Sequence, residues 1–152
     1  MFTLKLEQAK EKFFDRAKVE NAVERANLRN LSKAGAFIMT SARQSIRRRQ
    51  KPSAPGQPPS AHTGYLKRIY FGIEGKDGVV VGPVKLNAKG ENVPQTLEFG
   101  GTQTLVVKRR RNGRLMTSKR KAHYQARPYM APALEKNVSK IPPIWAGSVR
   151  AD

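Results

Sequence analysis

Over the first fifty residues the apolar positions are spaced for a helix. Leu31, Ala34 or Gly35, Ile38, Ala42 and Ile46 recur at steps of three and four, which lays them along one helical face. The stretch contains no proline, one glycine and many strong helix formers. Asn21, with Glu24 three residues on, has the form of a reciprocal N-terminal cap. A long helix is therefore expected from about Ala22, with Lys5 to Lys18 as a separate shorter helix or an arm. It has to end before residues 51–64, KPSAPGQPPSAHTG, whose four prolines and two glycines block helical and sheet bonding alike.

Beyond that loop the pattern turns strand-like. Tyr65–Glu74 carries Leu66, Ile69, Tyr70, Phe71 and Ile73, and Gly78–Val84 carries three consecutive valines, so the Gly-Lys-Asp-Gly at 75–78 is expected to turn a hairpin. Residues 85–93 are polar and read as a loop. Pro94 suits the first position of a short helical turn through Phe99, which Gly100 and Gly101 end. Thr102–Arg111 is β-branched enough for a strand, and Asn112-Gly113 is a strong hairpin turn, so Arg114–Gln125 should return antiparallel. After Pro128, Tyr129–Lys140 predicts a second helix with Met130, Ala133, Leu134 and Val138 on one face. Ile141-Pro142-Pro143 stops it, leaving a tail that holds the single tryptophan, Trp145. The order predicts one α+β domain over 1–152: an antiparallel four-stranded sheet packed against a long N-terminal helix and a shorter C-terminal helix, with a basic hairpin and extended terminal arms at 1–20 and 141–152.

Composition narrows the chemistry. Apolar residues make up 38% of the chain, against ~45% or more in an average globular domain, so part of the sequence is expected to lie outside the core and await a partner. There is no cysteine, which excludes disulfides and thiolate chemistry and makes zinc improbable. The opening MFTLKLEQAKEKFF has no continuous apolar run of the kind a signal peptide uses, and a soluble chain without membrane contact is expected. Five of the eleven acidic residues are interleaved with Lys and Arg in the helical first fifty residues, where surface ion pairs are their expected role. His62 falls in the proline-rich loop and His123 in a basic strand, neither with the partners of a triad or a metal site. Gly100-Gly101-Thr102 lacks the spacing and the lysine of a phosphate loop. The glycosylation-like triplets at Asn30 and Asn137 fall in expected helices and read as chance. No enzyme activity, cofactor or metal is expected.

Charge is the dominant feature. The formal net charge is +19, and residues 108–121 hold eight basic side chains and no acid. Lys108, Arg109, Arg110, Arg111, Arg114, Lys119, Arg120 and Lys121 should cluster about the Asn-Gly turn as a cationic prong. Such a prong would contact phosphates, with counterion release and steep salt dependence, or dock on an acidic protein surface. Nothing in it resembles a recognition helix or a stacking platform, so base-specific reading is not expected. Arg47, Arg48, Arg49 and Lys51, at the end of the long helix, are expected to complement its dipole.

Three segments, in this order, resemble a known family: Pro-Gly-Gln-Pro-Pro at 55–59 with His-Thr-Gly-Tyr-Leu at 62–66; Thr-Leu-Glu-Phe-Gly-Gly-Thr at 96–102; and Ala-Arg-Pro-Tyr-Met-Ala-Pro-Ala-Leu-Glu at 126–135. They are similar to segments of the head-tail joining (neck or tail-completion) proteins of lambdoid and related tailed bacteriophages, and they span residues 55–135. The chain departs from that pattern in its extra Gly101, in Tyr129 where phenylalanine is usual, and in a longer, more charged 108–121 segment. The resemblance implies a non-enzymatic virion protein made in the bacterial host cytoplasm. It would form a homo-oligomeric six-fold or twelve-fold ring at the neck, between the portal-side connector or adaptor and a tail-terminator or tail-tube protein, and the genomic DNA would pass through it. The motif positions Gly64, Leu66, Leu97, Glu98, Phe99, Gly100, Arg127, Pro128, Tyr129, Pro132 and Leu134 would chiefly maintain the fold, with Glu98 and Arg127 as a fixing ion pair and Phe99, Tyr129 and Leu134 in the core. The alternative from charge alone is a nonspecific nucleic-acid-binding protein acting through the basic hairpin.

Overall fold

The computed structural model describes residues 15–61, 64–84, 93–111 and 113–149. Its spine is a 30-residue helix, α1 (Arg16–Ser45). Asp15 caps it, with one carboxylate oxygen accepting the Lys18 amide at 3.0 Å. The expected start at Asn21 is therefore corrected, and Asn21 and Glu24 sit inside the helix. An anionic cap at Asp15 satisfies an orphan amide and meets the positive end of the helix dipole, whereas an interior asparagine costs only a fraction of a kcal/mol, too little to break the helix. Glu24 instead pairs with Lys76 at 2.5 Å, and this raises the Lys76 pKa above its ordinary value. The expected separate helix from Lys5 lies largely outside the described residues, as do His62, the loop residues 85–92 and Asn112.

Ile46 is extended and ends α1. The proline-rich segment then folds back along residues 47–51. Ala61 donates its amide to the Arg47 carbonyl at 3.2 Å, Ser60 Oγ donates to the Lys51 carbonyl, and Arg49 donates to the Pro58 carbonyl. Arg47 and Arg49 thus belong to a closed loop past the helix, and the cation in the last helical turn is Arg43.

Gly64–Lys67 forms a single 3-10 turn, so Tyr65 and Leu66 precede the strand that was expected to include them. β1 (Ile69–Glu74) and β2 (Gly78–Pro83) pair antiparallel, Phe71 opposite Val81, and lie across α1. Gly35 permits the close approach: a Cβ there would stand 2.7 Å from Phe71 Cδ2 and 2.8 Å from Val79 Cγ2. α2 (Val93–Phe99) leads into a second hairpin of β3 (Gly101–Arg111) and β4 (Arg114–Tyr124), paired along their full eleven-residue lengths.

The two hairpins form separate two-stranded sheets, which corrects the expected four-stranded sheet. The physical reason lies in the second hairpin. Beyond Val107, β3 has only exposed side chains among those described, and β4 is exposed from Arg114 to Lys121, so this cation-rich end of the hairpin stands clear of the core and of the first hairpin.

α3 (Ala131–Val138) packs on α1 through Asn137, whose amide donates to Ser41 Oγ and to the Ala133 carbonyl, both at 2.7 Å. These bonds fix the helix rotation. Tyr129, Ala133 and Asn137 face inward, while Leu134 and Val138, assigned inward by sequence, are exposed. The tail is not an extended arm as far as Val149. Pro142–Ile144 makes a 3-10 turn, and Trp145 donates its indole N–H to Asn27 Oδ1 at 2.9 Å, tying the tail to α1.

The core is small: Ala42, Ile46, Ala61, Ile69, Tyr129 and Ala133, with Met39, Leu66, Val81, Leu97 and Met130 packed against it. Five large apolar side chains are buried among the described residues and sixteen are exposed. No helix among the described residues is long and apolar enough to cross a membrane.

Candidate assembly interface

The three sequence segments that carry the family resemblance are far apart in the chain and meet in space. Gly56 donates its amide to the Ala126 carbonyl at 2.9 Å, joining the proline-glycine loop to the third segment. The Arg127 amide donates to the Leu97 carbonyl at 2.7 Å, joining the second to the third, and Arg127 Nε reaches back to the Ser53 carbonyl at 3.0 Å. Gly100, at a φ of +76°, sits where a Cβ would stand 3.0 Å from the Ala126 amide nitrogen and 3.1 Å from the Tyr124 carbonyl oxygen. A side chain there would push β3–β4 off the third segment, a steric reason for glycine at that position.

Glu98 supplies the strongest link. Its Oε2 accepts the amides of Tyr129 at 2.9 Å and Met130 at 3.1 Å, and its Oε1 accepts the amide of Ala131 at 2.9 Å. The N-cap of α3, Met130, gives the helix no side-chain cap of its own, and its first turn holds no acid. A carboxylate from α2 therefore does the work of a local capping residue, satisfying three orphan amides at the positive end of the helix. Glu98 and Arg127, expected as an ion pair, have separate partners: Glu98 holds the α3 backbone, and Arg127 holds the proline-rich loop.

No family model, curated protein or solved structure matches the chain. What its surfaces can do is read from their chemistry.

Beside the Glu98 junction opens an apolar cleft of about 700 Å³, lined chiefly by Ile38, Val79, Val81, Phe99, Met130 and Leu134. Phe99 is 77% exposed at its rim and Leu134 46%, so these two motif residues stand at the surface and do not fill the core as the sequence suggested. Leu66 and Leu97 do pack on the core, and Pro132 lies in the first turn of α3. Gly64 opens the 3-10 turn, and Pro128 is half-buried just ahead of α3. No metal-binding cluster of His or acidic groups occurs among the described residues, and His123 lies exposed near Thr102 Oγ1 at 3.3 Å. Asn30 and Asn137 are both buried, which closes the two glycosylation-like triplets to modification in the folded chain.

Tyr129, 1% exposed, is the one motif aromatic that fills the core. Its hydroxyl has no hydrogen-bond partner among the described residues. Burial, and secondarily the nearby Glu98 carboxylate, push its pKa up to about 12. Because the neutral form is the one the fold favours, its contribution is complete below the unfolded value near 10 and is lost as pH rises from there toward 12. Tyr129→Phe should keep or raise stability at neutral pH by up to about 1 kcal/mol, since an unpartnered buried hydroxyl is a cost. It should also remove a loss on the order of 2 kcal/mol between pH 10 and 12. Urea midpoints of both proteins across that range check this, and a variant that loses several kcal/mol at pH 7 would show that the hydroxyl has a partner.

The basic residues of 108–121 lie on the β3–β4 hairpin. Lys108, Arg109 and Arg110 lie on β3 opposite Thr117, Met116 and Leu115, Lys119, Arg120 and Lys121 lie on β4 opposite Val106, Leu105 and Thr104, and Arg111 pairs through its backbone with Arg114. The two ion pairs found among the described residues, Arg16–Glu20 and Lys76–Glu24, both lie elsewhere, and residues 108–121 themselves contain no acid.

Proposed function

We propose that this chain is a structural subunit of a tailed-phage neck, assembling as a closed ring that joins the head connector to the tail and surrounds the passage of DNA. The observation that carries the reading is the junction of the three family-like segments, hydrogen-bonded to one another through Gly56, Leu97, Glu98 and Arg127. Residues that resemble a family only as scattered words in the sequence form one piece of structure. The surfaces agree with the role. A small core, a large exposed apolar complement and a cleft rimmed by Phe99 suit a protein whose folding is completed by neighbouring copies, and a ring is closed by heterologous contacts of this kind. The cleft is assigned to the contact between adjacent copies.

The test is removal and complementation. Particles made without the chain should accumulate as unjoined heads and tails, and supplying it should restore joining. Phe99→Asp should block ring formation, read as oligomer mass by light scattering, and should block joining. Because that side chain is exposed, monomer stability should change by no more than about 0.5 kcal/mol. Infectious particles formed normally without the protein would refute the role.

The second reading is a nonspecific nucleic-acid-binding protein, and the eight cations without an acid over 108–121 of the β3–β4 hairpin favour it. It predicts duplex binding by the isolated chain that falls steeply with salt, and no effect on head-tail joining.

A further inference from the structure

The strand register sorts the prong's cations onto two unlike faces. Directly opposed residues share a face, so one face carries the rungs Thr102/His123, Thr104/Lys121, Val106/Lys119, Lys108/Thr117 and Arg110/Leu115. All ten of these residues are exposed. On the other face Gln103, Leu105, Val107, Ala122 and Tyr124 are half-buried, and Gln103 donates to Thr96 Oγ1 on α2 at 2.5 Å, so that face turns toward the domain at the base of the hairpin.

The outward face places one cation on each of four consecutive rungs: Lys121, Lys119, Lys108 and Arg110. Successive rungs on one face are ~6.8 Å apart, two residues at about 3.4 Å each, so the charges form an unbroken row on two strands that carry no acid. Three of the four are lysines, compact point charges that attract phosphate from many directions and are depleted at the centres of protein interfaces. The inward face instead mixes Arg109, Arg114 and Arg120 with Leu105, Val107 and Met116, the residue types that protein contacts favour. A twisted two-stranded ribbon is also narrow enough to follow a groove of duplex DNA.

We propose that the β3–β4 hairpin is two-sided, and that its outward face, through Lys121, Lys119, Lys108 and Arg110, tracks the phosphate backbone of double-stranded DNA without reading its bases. This deepens the nucleic-acid contact described above and rests on it for the class of partner; it does not depend on the joining role.

The experiment compares two variants of the full chain that lose the same number of charges: K108Q/K119Q/K121Q on the outward face and R109Q/R114Q/R120Q on the inward one. Binding to a mixed-sequence 30-base-pair duplex is measured from 50 to 200 mM salt, with poly-glutamate as a second probe. Each lost phosphate contact lowers the slope of log affinity against log salt by ~0.9, so the outward variant should lose about 2.7 from its slope and the inward variant less than about 1. Over that fourfold salt range the unmodified chain should weaken about 40-fold more than the outward variant. Equal losses in both variants would reduce the effect to net charge and overturn the proposal. An outward variant that binds duplex normally but loses poly-glutamate would assign the row to an acidic protein partner, which also overturns it. Either result leaves the joining role standing, because that role is read separately from particle assembly.

Discussion

Gly35→Leu should detach the first hairpin from α1 and leave the chain largely unfolded at 37 °C. Even a Cβ at this position would stand 2.7 Å from Phe71 and 2.8 Å from Val79, closer than carbon atoms pack, and both contacts are to rings or methyls wedged between helix and sheet. Overpacking of this kind costs typically 1–3 kcal/mol for small additions. A whole leucine in a site with room for a hydrogen should exceed about 3 kcal/mol, a large share of the 5–15 kcal/mol that stabilises an ordinary domain. Gly35→Ala separates the two opposing effects. Alanine gains about 1 kcal/mol of helix propensity over glycine, so a net loss of about 1–2 kcal/mol in the urea midpoint would mean that steric cost outweighs it. A gain in stability for Gly35→Ala would show that β1–β2 can move away freely and that the close approach contributes nothing. Truncating Phe71 to leucine in the Gly35→Ala background should recover part of the loss, because the pair shares one contact.

Gly35 also marks the limit of what the sequence disclosed. Its place on the apolar face of α1 was legible from the spacing of Leu31, Ile38, Ala42 and Ile46, but its closeness to Phe71 was not, since a period of three and four says which side is buried and nothing about what covers it. The same division runs through the fold. Asn112-Gly113, Pro94 and the proline cluster of 51–64 act on their own backbones, and the hairpin, the short helix and the helix stop all appear near where those residues put them. Whether two hairpins join edge to edge depends on atoms seventeen or more residues apart, and the sequence contained no measure of it. In α3 the apolar count favoured Leu134 and Val138, but two hydrogen bonds from Asn137 set the rotation, and an asparagine that is buried because it is satisfied looks in sequence like one that is exposed. The cationic prong was legible as charge. Its division into an outward lysine row and an inward arginine face needed the register, because a slip of one residue exchanges the faces.

Removing the Glu98 carboxylate should be the second most damaging single change. Glu98→Ala leaves three amides, of Tyr129, Met130 and Ala131, without their acceptor. Hydrogen bonds to a charged group are worth about 1.5–3 kcal/mol when lost at a protected site, and the loss of an ordinary cap costs about 1. The Ala131 amide is near solvent and can turn to water, so a total of about 2–3 kcal/mol is expected, short of threefold additivity. Glu98→Gln keeps one good acceptor and the shape, and should lose about half as much. Hydrogen exchange gives the decisive reading. Exchange should accelerate at Tyr129, Met130 and Ala131 in both variants while the amides in the middle of α1 hold their protection. A uniform rise across the chain would mean that Glu98 acts only through global stability, and unchanged exchange at those three amides would refute the cap. The site had a sequence signal that composition could not reveal: a helix opening on Met130-Ala131-Pro132, with none of Ser, Thr, Asp or Asn to cap it, must take its acceptor from elsewhere. Because Glu98 lies on α2 and its targets lead into α3, the same bonds hold the two walls of the Phe99 cleft at a fixed spacing. If the proposed ring forms through this cleft, Glu98→Ala should therefore weaken it even at temperatures where the chain stays folded, whereas Tyr129→Phe, which leaves those amides and the cleft intact, should not.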